Sequence, residues 1–353
     1  MQIQKQELLS ILHKLEPFFI EKGLAPILEY LYFKDTTIQL YTGDFFVTAE
    51  ESPTQGLKGI VRSNLLLRIV EQIQSDTIDL TIKNKVLKIS SGSFTADLTL
   101  FADGYFKFEN TEDEELLYEL PISVIAESLP KMFLPNTETQ KIFNSTFLKV
   151  RDNTLYLFST NRASLCRISI PHESKDFSVF LPNKFCEKIL TLFSEIKQGT
   201  FYFYEKSIKC VLDTITVIFP VEEAHPIDYE GTFLRYNDPN IEFYPIEILQ
   251  DTVVRNFNLN KLLSDSTNKI FFLDFKEHEI NITSKNEENH VNEIIAHSIG
   301  LTAHCKVDAG LLKHFVQTVS HWTYMIKKDT GVWAGYSESD NSRLDYLFLS
   351  YEI

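Results

Sequence analysis

The sequence predicts an α+β protein made of three copies of one domain, each with two helices packed on antiparallel sheets. Two patterns support this along the 353 residues. The first is an alternating strand, a polar bend and a second strand, in residues 37–49, 154–166 and 279–294. The second is a capping residue followed by an amphipathic helical pattern, in residues 61–73, 181–193 and 306–318. Both patterns recur after 117 to 125 residues, which indicates internal repetition.

Each copy is predicted to open with a helix, in residues 4–22, 120–134 and 246–265. A second helix is expected after Ser63, Asn183 and Asp308, because these side chains can accept the unpaired N–H groups of a first turn. Alternating strands close the copies in residues 76–100, 200–220 and 342–353. The acidic stretch 109–120 and the segment 222–232 are natural linkers, so the predicted domains are 1–117, 118–231 and 232–353.

Composition excludes several classes of protein. Apolar residues make up 44% of the chain, enough for a sizeable core, and the net charge of −15 argues against a protein that coats itself with nucleic acid. The N-terminus lacks the order of a signal peptide, and no run reaches the roughly 18 apolar residues of a membrane span. The four cysteines are far apart, which is typical of reduced thiols in a cytoplasmic protein.

The predicted helices are nearly neutral, whereas the strands and loops hold the acidic charge. The six helical segments sum to +2, whereas the rest of the chain carries −17. Ordinary solvated helix faces explain this distribution. A shared helical surface that tolerates a polyanion explains it equally well, because attraction to phosphate acts only within roughly 10 Å at 0.1 M salt.

Four segments resemble the bacterial DNA polymerase III β subunit, the sliding clamp, and together they extend the resemblance along essentially the whole chain. LAPILEYLYF followed by IQLYTGD (24–44) is similar to the family's P-I-L, strand and T-x-x-D segment. LFADGYFKF (100–108) is similar to its L-x-A-x-x-Y/F-P segment. STNRASLCRISIP (159–171) is similar to its T-D-G-H-R-L-A bend, and FPVEEAHPIDY (219–229) to its F-P-D-Y joint.

The resemblance implies a head-to-tail homodimer in which six domains form a ring, so that one chain is half of the ring. Twelve helices would face the hole and sheets would form the rim. Such a ring encircles double-stranded DNA without reading its sequence and tethers a DNA polymerase, so the implied protein is not an enzyme and needs no cofactor. The implied partners are DNA, a second copy, the polymerase and the clamp loader, in the cytoplasm of a bacterium or of a phage-infected host, with no membrane.

Three sets of residues follow from the resemblance. The DNA-facing set is Lys5, Lys14, Lys22, Arg62, Arg68, Lys131, Lys184, Lys188, Arg255, Lys261 and Lys313. The pocket for short apolar peptides of polymerases and loaders is Leu155, Thr160, Arg162, Ala163, Leu165, Pro226, Thr232, Leu347 and Leu349. The dimer seam is Phe94, Ala96, Leu262 and Leu263. For each set an ordinary surface or core role is the competing interpretation.

The sequence departs from the family around the pocket. N-R-A-S replaces D-G-H-R in the bend, so the usual glycine is missing. The chain ends in LFLSYEI where the family commonly has an M-P-x-R-type tail, and Glu352 stands where a basic residue is usual. These departures leave the peptide preference open.

Other functions have weaker support in the sequence. His290, His297 and His304 are spaced by seven beside Cys305, which alternates faces on a strand and disfavours a metal site. The acidic residues 112–115 have no histidine beside them that suggests acid–base catalysis. A clamp-fold scaffold or decoy that binds replication proteins without loading on DNA is the alternative. A trimer of two-domain subunits is disfavoured by the count of three repeats.

Overall fold

The computed structural model describes residues 1–20, 26–101, 114–135, 140–221, 227–235, 243–245, 250–263, 270–285, 290–296, 302–327 and 330–352. The chain divides into two compact units. One contains Met1–Glu127 and Lys184–Glu223, and the other contains Ser128–Asn183 and Ala224–Ile353.

The described residues of the first copy of the repeat form eight strands and two helices. Its strands are β1 (Gln2–Gln4), β2 (Tyr30–Lys34), β3 (Thr37–Tyr41), β4 (Phe46–Ala49), β5 (Lys58–Arg62), β6 (Thr77–Lys83), β7 (Val86–Ser91) and β8 (Phe94–Thr99). Its helices are α1 (Lys5–Leu15) and α2 (Ser63–Gln72).

The part of the second copy that the structure describes has the same number of strands. They are β9 (Leu116–Pro121), β10 (Ser145–Arg151), β11 (Thr154–Thr160), β12 (Ser164–Pro171), β13 (Phe177–Pro182), β14 (Thr200–Tyr204), β15 (Ser207–Leu212) and β16 (Ile215–Pro220). Its helices are the short α3 (Ile122–Ile125) and α4 (Asn183–Ile196).

A further helix, α5 (Tyr229–Arg235), precedes the third copy. The strands of that copy are β17 (Phe243–Pro245), β18 (Ile270–Lys276), β19 (Glu279–Lys285), β20 (His290–Ala296), β21 (Ala303–Asp308), β22 (His321–Lys327), β23 (Thr330–Ser339) and β24 (Ser342–Glu352). Its helices are α6 (Gln250–Leu263) and α7 (Ala309–Thr318).

Strand order is identical in the three copies. A first sheet runs β1-β6-β7-β8, β9-β14-β15-β16 and β17-β22-β23-β24 in the successive copies. A second sheet runs β5-β2-β3-β4, β13-β10-β11-β12 and β21-β18-β19-β20. The repeated α+β domain predicted from the two sequence patterns is therefore confirmed. The boundaries at 117/118 and 231/232 stay predictions.

Neighbouring copies share sheets. The antiparallel pair β4–β16, which we call the first junction, makes one eight-stranded sheet in the unit that contains both strands. The pair β12–β24, the second junction, joins the sheets of the other unit. An ion pair crosses the second junction, where the Arg167 guanidinium donates to Asp345 Oδ2 at 2.5 Å. Every junction thus extends a backbone hydrogen-bond ladder from one copy to the next.

The helices bury one face each, as their apolar spacing predicts. Leu8, Leu12 and Leu15 of α1 are fully buried, and so is Val70 of α2, which packs beside α1. In α7 the buried Phe315 meets the rings of Trp333 and Phe348. The polar faces stay toward solvent, as expected for amphipathic helices on a sheet.

Two predicted helices are shorter than the sequence pattern suggests. The helix expected over 120–134 is only α3, followed by a 3-10 turn, Leu129–Met132, because Pro130 cannot donate an intrahelical hydrogen bond. The helix expected over 4–22 ends at Leu15 and continues as a 3-10 turn, Glu16–Phe18, which contains Pro17. The end of the predicted linker 222–232 is helical, because α5 begins at Tyr229, and its role as a linker stays a prediction.

The three expected helix caps differ. Asp308 is confirmed, since its Oδ1 accepts from the Leu311 N–H at 2.8 Å. Ser63 was wrong, because the extended Arg62 holds the cap position and Ser63 Oγ donates to the Glu29 carbonyl at 2.9 Å. Asn183 is the first residue of α4, and its Oδ1 accepts from Thr146 Oγ1 at 3.0 Å.

We expect Asp308→Ala to lower the free energy of unfolding by about 1 kcal/mol, because the first turn of α7 loses its acceptor. Asp308→Asn is the matched control, since asparagine caps about as well as aspartate. Urea unfolding of the three proteins measures the difference. Equal losses in both variants would show that charge, and not the cap, is what Asp308 supplies.

Candidate functional site

A cavity of about 350 Å³ lies beside the second junction. Leu165 of β12 and Leu347 of β24 are cross-strand partners there and form part of its wall. The backbone N–H of Leu349 donates to the Ala163 carbonyl at 2.8 Å, which carries the junction one step beyond the strand ladder. The residues that line the cavity are Phe143, Thr160, Arg162, Ala163, Ser164, Leu165, Ile227, Thr232, Leu347, Phe348 and Leu349.

The polar bend between β11 and β12 shapes one side of the cavity. Asn161 Oδ1 accepts from the backbone N–H of Ser164 at 2.8 Å and from its hydroxyl at 2.7 Å. The Asn161 amide donates to the Pro135 carbonyl at 2.5 Å. Thr160 Oγ1 donates to the Ser164 carbonyl at 2.7 Å. Short side chains therefore close this bend by bonding its own backbone, as in Asx turns.

Arg162 occupies the left-handed backbone region, with φ +71°. The equivalent position in the first copy is Gly43, with φ +91°, because each residue is the second after the preceding strand, which ends at Tyr41 in β3 and at Thr160 in β11. Arg162 therefore replaces the usual glycine of the bend and keeps the left-handed backbone conformation. The Arg162 guanidinium lies 4.9 Å from the centre of the Phe143 ring.

Helix α5 brings two further residues to the cavity and was not predicted from the sequence. Ile227 precedes the helix and Thr232 lies within it. Asp228 Oδ1 accepts from the Gly231 N–H at 2.9 Å, which caps the first turn. This aspartate just before an amphipathic stretch is the signal that would have found the helix.

Helix α5 is held by an aromatic cluster. The Tyr229 ring stacks on Phe158 at 5.1 Å and on Phe147 at 5.6 Å between ring centres. Lys149 Nζ donates to Glu230 Oε1 at 2.8 Å, and the Arg167 guanidinium lies 4.7 Å from the Phe233 ring centre. Packing and charge thus tie α5 to β10, β11 and β12, which gives one wall of the cavity a rigid support.

The cavity suits an apolar guest with a few polar contacts. Its walls are mainly leucine, isoleucine and phenylalanine side chains, while Thr160, Ser164, Thr232 and Arg162 supply hydrogen-bonding groups. Burial raises the pKa of the nearby Tyr229 phenol and of the Cys166 thiol, so both remain neutral. This composition matches small-molecule and peptide pockets, in which apolar surface gives affinity and a few polar groups fix orientation.

Seven of the nine residues predicted for the pocket line this cavity, namely Thr160, Arg162, Ala163, Leu165, Thr232, Leu347 and Leu349. Leu155 is fully buried in the sheet, paired with Val150 and Ile170, and is not part of the lining. Pro226 lies outside the described residues. Sequence reasoning missed Phe143, Ser164, Ile227 and Phe348. The role of the seven predicted residues as a peptide site stays a prediction.

Most cations of the predicted DNA-facing set have partners within the chain. Four pair with carboxylates, in Lys14–Asp213 (3.2 Å), Arg62–Glu29 (3.3 Å), Lys184–Asp44 (3.4 Å) and Arg255–Glu293. Lys5 Nζ donates to the Ile73 carbonyl at 2.5 Å, and Lys313 lies 4.3 Å from the centre of the Phe257 ring. Phosphate contact at these positions would compete with an existing interaction.

The remaining members of that set vary in exposure. Lys188 donates to the Pro17 carbonyl, and burial together with the charge of Lys184 lowers its pKa. Arg68 and Lys131 are exposed. Lys22 lies outside the described residues, and Lys261 belongs to α6 without a described side chain.

The predicted seam residues fall in two elements. Phe94 and Ala96 belong to β8, which ends its sheet. Leu262 and Leu263 belong to α6, but their side chains are outside the described part of the chain.

Chemistry that needs a metal receives no support from the described residues, among which no cluster of three potential ligands is found. His304 Nδ1 lies 2.6 Å from Asp274 Oδ1, Cys305 is buried, and His297 lies outside the described ranges. Where the structure describes helices, none is long and apolar enough to cross a membrane.

We expect Arg162→Gly to be more stable than Arg162→Ala by about 1 kcal/mol, because only glycine adopts a positive φ without steric cost. Both variants lose the guanidinium that faces Phe143, so that loss cancels in the comparison. Thermal and urea unfolding measure the difference. A glycine variant that is no more stable than the alanine variant would contradict the left-handed bend.

Solved bacterial clamps share this fold over the whole chain. A Caulobacter crescentus pol III β is 14% identical with a TM-score of 0.82, covering 100% of this chain and 99% of that one. A DNA polymerase sliding clamp from Bacillus subtilis is 15% identical with a TM-score of 0.81, covering 100% and 98%. The DNA polymerase III subunit β of Pseudomonas aeruginosa is 15% identical with a TM-score of 0.78, covering 100% of both chains.

No family model and no curated protein matches the sequence. The chain has the fold of the DNA polymerase III β sliding clamps.

Proposed function

We propose that this protein is a sliding clamp, a homodimeric ring that encircles duplex DNA and tethers a DNA polymerase. The observation that carries the proposal is the pattern of sheet edges. Each junction pairs the outer strand of a second sheet, β4 or β12, with the outer strand of the next copy's first sheet, β16 or β24. The strands at the equivalent positions of the repeat, β20 in the third copy and β8 in the first, each end a sheet in the described residues.

The edges of β8 and β20 complement each other. Exposed edges offer a row of unpaired N–H and C=O groups that favours pairing with another chain. Because β8 belongs to the first copy and β20 to the third, pairing between two molecules is head-to-tail. A head-to-tail contact either closes into a ring or grows into a filament. The fold shared with bacterial clamps supports closure after two chains.

The charge pattern supports sliding rather than gripping. Four of the cations proposed to face DNA are already paired with carboxylates. The chain as a whole carries −15. Phosphate contacts that release few counterions give weak, sequence-independent attraction. A ring that is held on DNA because it encircles the duplex needs no stronger attraction to the phosphates.

The cavity at the second junction supports the proposal that the protein holds a polymerase through a peptide. Its apolar wall and polar rim fit a short peptide with neighbouring apolar side chains, presented by a polymerase or a clamp loader. In this proposal the protein contributes no catalysis and uses no cofactor. Its place is the cytoplasm in which DNA is replicated.

We expect the protein, loaded by a bacterial clamp loader and ATP, to remain on nicked circular plasmid during gel filtration in 0.5 M salt and to leave when the plasmid is cut. Salt of this strength removes electrostatic binding but leaves a topological link intact. Labelled protein in the plasmid fractions is the readout.

Uncut plasmid that loses the protein as fast as linear plasmid would overturn the clamp proposal. The paired cations favour one alternative, a scaffold of clamp fold that binds replication proteins without loading. Such a scaffold would bind the same peptides and show no retention on circles.

We expect Leu349→Ala to weaken binding of a labelled hexapeptide with two adjacent leucines at least about fivefold, since truncating a central interface residue costs over about 1 kcal/mol. Leu117→Ala, an exposed leucine of β9, is the matched control and should bind as the unmodified chain does. Fluorescence anisotropy measures both. Equal affinity in the two variants would place the peptide elsewhere.

A further inference from the structure

A buried polar pair joins helix α7 to a strand that forms a wall of the cavity. His314 of α7 has its Nδ1 3.2 Å from the hydroxyl of Tyr346, a fully buried residue of β24. The two rings meet edge to face, with 5.5 Å between their centres. Tyr346 is the cross-strand partner of Cys166, so its side chain lies on the same sheet face as that of Ser164, two residues earlier in β12.

The polar bend of the cavity continues from this pair. The Ser164 side chain is a hydrogen-bonding neighbour of the Tyr346 hydroxyl. The Ser164 hydroxyl donates to Asn161 Oδ1 at 2.7 Å, and the Asn161 amide donates to the Pro135 carbonyl at 2.5 Å. A buried network therefore leads from α7 to the bend, through His314, Tyr346, Ser164 and Asn161 in that order.

The protons of the buried network have one consistent order. Because the Asn161 amide group donates to a carbonyl, its Oδ1 is the atom that accepts the Ser164 proton. The Ser164 oxygen is then left to accept from Tyr346, and the Tyr346 oxygen to accept from His314. Burial lowers the pKa of His314 to about 4, so the ring is neutral at neutral pH. Its single proton is therefore on Nδ1.

We infer that His314 and Tyr346 are positioning residues for the peptide site, because through Ser164 they hold the bend between β11 and β12 in the shape that binds a peptide. Ser164 lines the cavity, whereas His314 and Tyr346 lie behind it and act through the bend. This inference rests on the proposed function and adds the residues that support its site from the helix side of the sheet.

The bend needs this support because of Arg162. Its backbone is left-handed, with φ +71°, a conformation that is unfavourable for a residue with a Cβ atom. The equivalent position of the first copy is Gly43, which adopts a positive φ without steric cost. Hydrogen bonds of Asn161 and Ser164 replace the conformational freedom of glycine, and the order of their protons depends on the buried pair.

The first junction has different residues at both positions of the pair. The fifth residues of the equivalent strands β16 and β24 are Phe219 and Tyr346, of which only the tyrosine has a hydroxyl. The sixth residues of α4 and α7 are Lys188 and His314, and Lys188 donates to the Pro17 carbonyl instead. The buried pair thus accompanies the junction whose bend lacks glycine, which favours a role in shaping that bend.

Removal of one hydroxyl tests the positioning role. Tyr346→Phe should weaken binding of the hexapeptide with two adjacent leucines about two- to tenfold, the range expected for one lost hydrogen bond. Tyr324→Phe is the matched control, because it removes another buried hydroxyl of the third copy, 3.5 Å from Ser350 Oγ. The control should bind as the unmodified chain does. Fluorescence anisotropy measures the affinities, and urea unfolding shows that the two variants have similar stability.

His314 allows a conservative replacement. In His314→Asn the side-chain amide can donate from the place of Nδ1, so the peptide affinity should stay within about twofold of that of the unmodified chain. His314→Leu has no donor and should lose as much affinity as Tyr346→Phe. A packing role alone would give the opposite order, because leucine is the better apolar substitute for a buried ring.

Nitrogen NMR of the imidazole at neutral pH examines the proton order without a peptide, and His314→Asn identifies the signal. The unmodified chain should show His314 protonated on Nδ1. In Ser164→Ala the Tyr346 hydroxyl loses its acceptor and donates to His314 instead, so the proton should move to Nε2. A ring protonated on Nε2 in the unmodified chain, or one that does not respond to Ser164→Ala, refutes the buried network.

Failure of this inference differs from failure of the proposed function. Equal affinities of the unmodified chain, Tyr346→Phe and His314→Leu overturn the positioning role while the peptide site stands, and so does an equal loss in Tyr346→Phe and Tyr324→Phe. An unmodified chain that does not bind the peptide overturns the peptide site and the positioning role together. Retention on circular plasmid then decides separately whether the protein is a clamp.

Discussion

Backbone hydrogen bonding at sheet edges is the constraint on which the rest of this structure depends. Each copy of the domain ends in an outer strand on both of its sheets, and the unpaired N–H and C=O groups there must find a partner. Two pairs of such edges meet within the chain, in β4–β16 and β12–β24. Repetition of one domain therefore leads to sheets that continue from one copy into the next.

The candidate peptide site is a consequence of the second junction. Leu165 and Leu347 face the cavity because they are opposite each other in the β12–β24 ladder, although 182 residues separate them in the chain. Helix α5 completes the wall by packing Tyr229 on Phe147 and Phe158. A junction needed for architecture thus also builds an apolar concave surface, which a single copy of the domain would not have.

The positive charges of the helices lie close to negative ones. Lysines and arginines on the helices are balanced by nearby carboxylates, as in Lys14–Asp213 and Lys184–Asp44. Exposed pairs of this kind contribute little stability, but they reduce the field that a helix presents to a polyanion.

The sequence by itself determined the repeat, because strand alternation, helix periodicity and the Asp308 cap depend on neighbours only a few residues away. Its resemblance to the clamp family also indicated seven of the cavity residues, although Arg162 replaces the usual glycine of the bend. Tertiary structure alone decided which strand edges meet, that Leu155 lies in the core, and that most helical cations are paired. These features depend on contacts between residues that are remote in the chain. Such contacts produce no periodic pattern in the sequence from which they could be predicted.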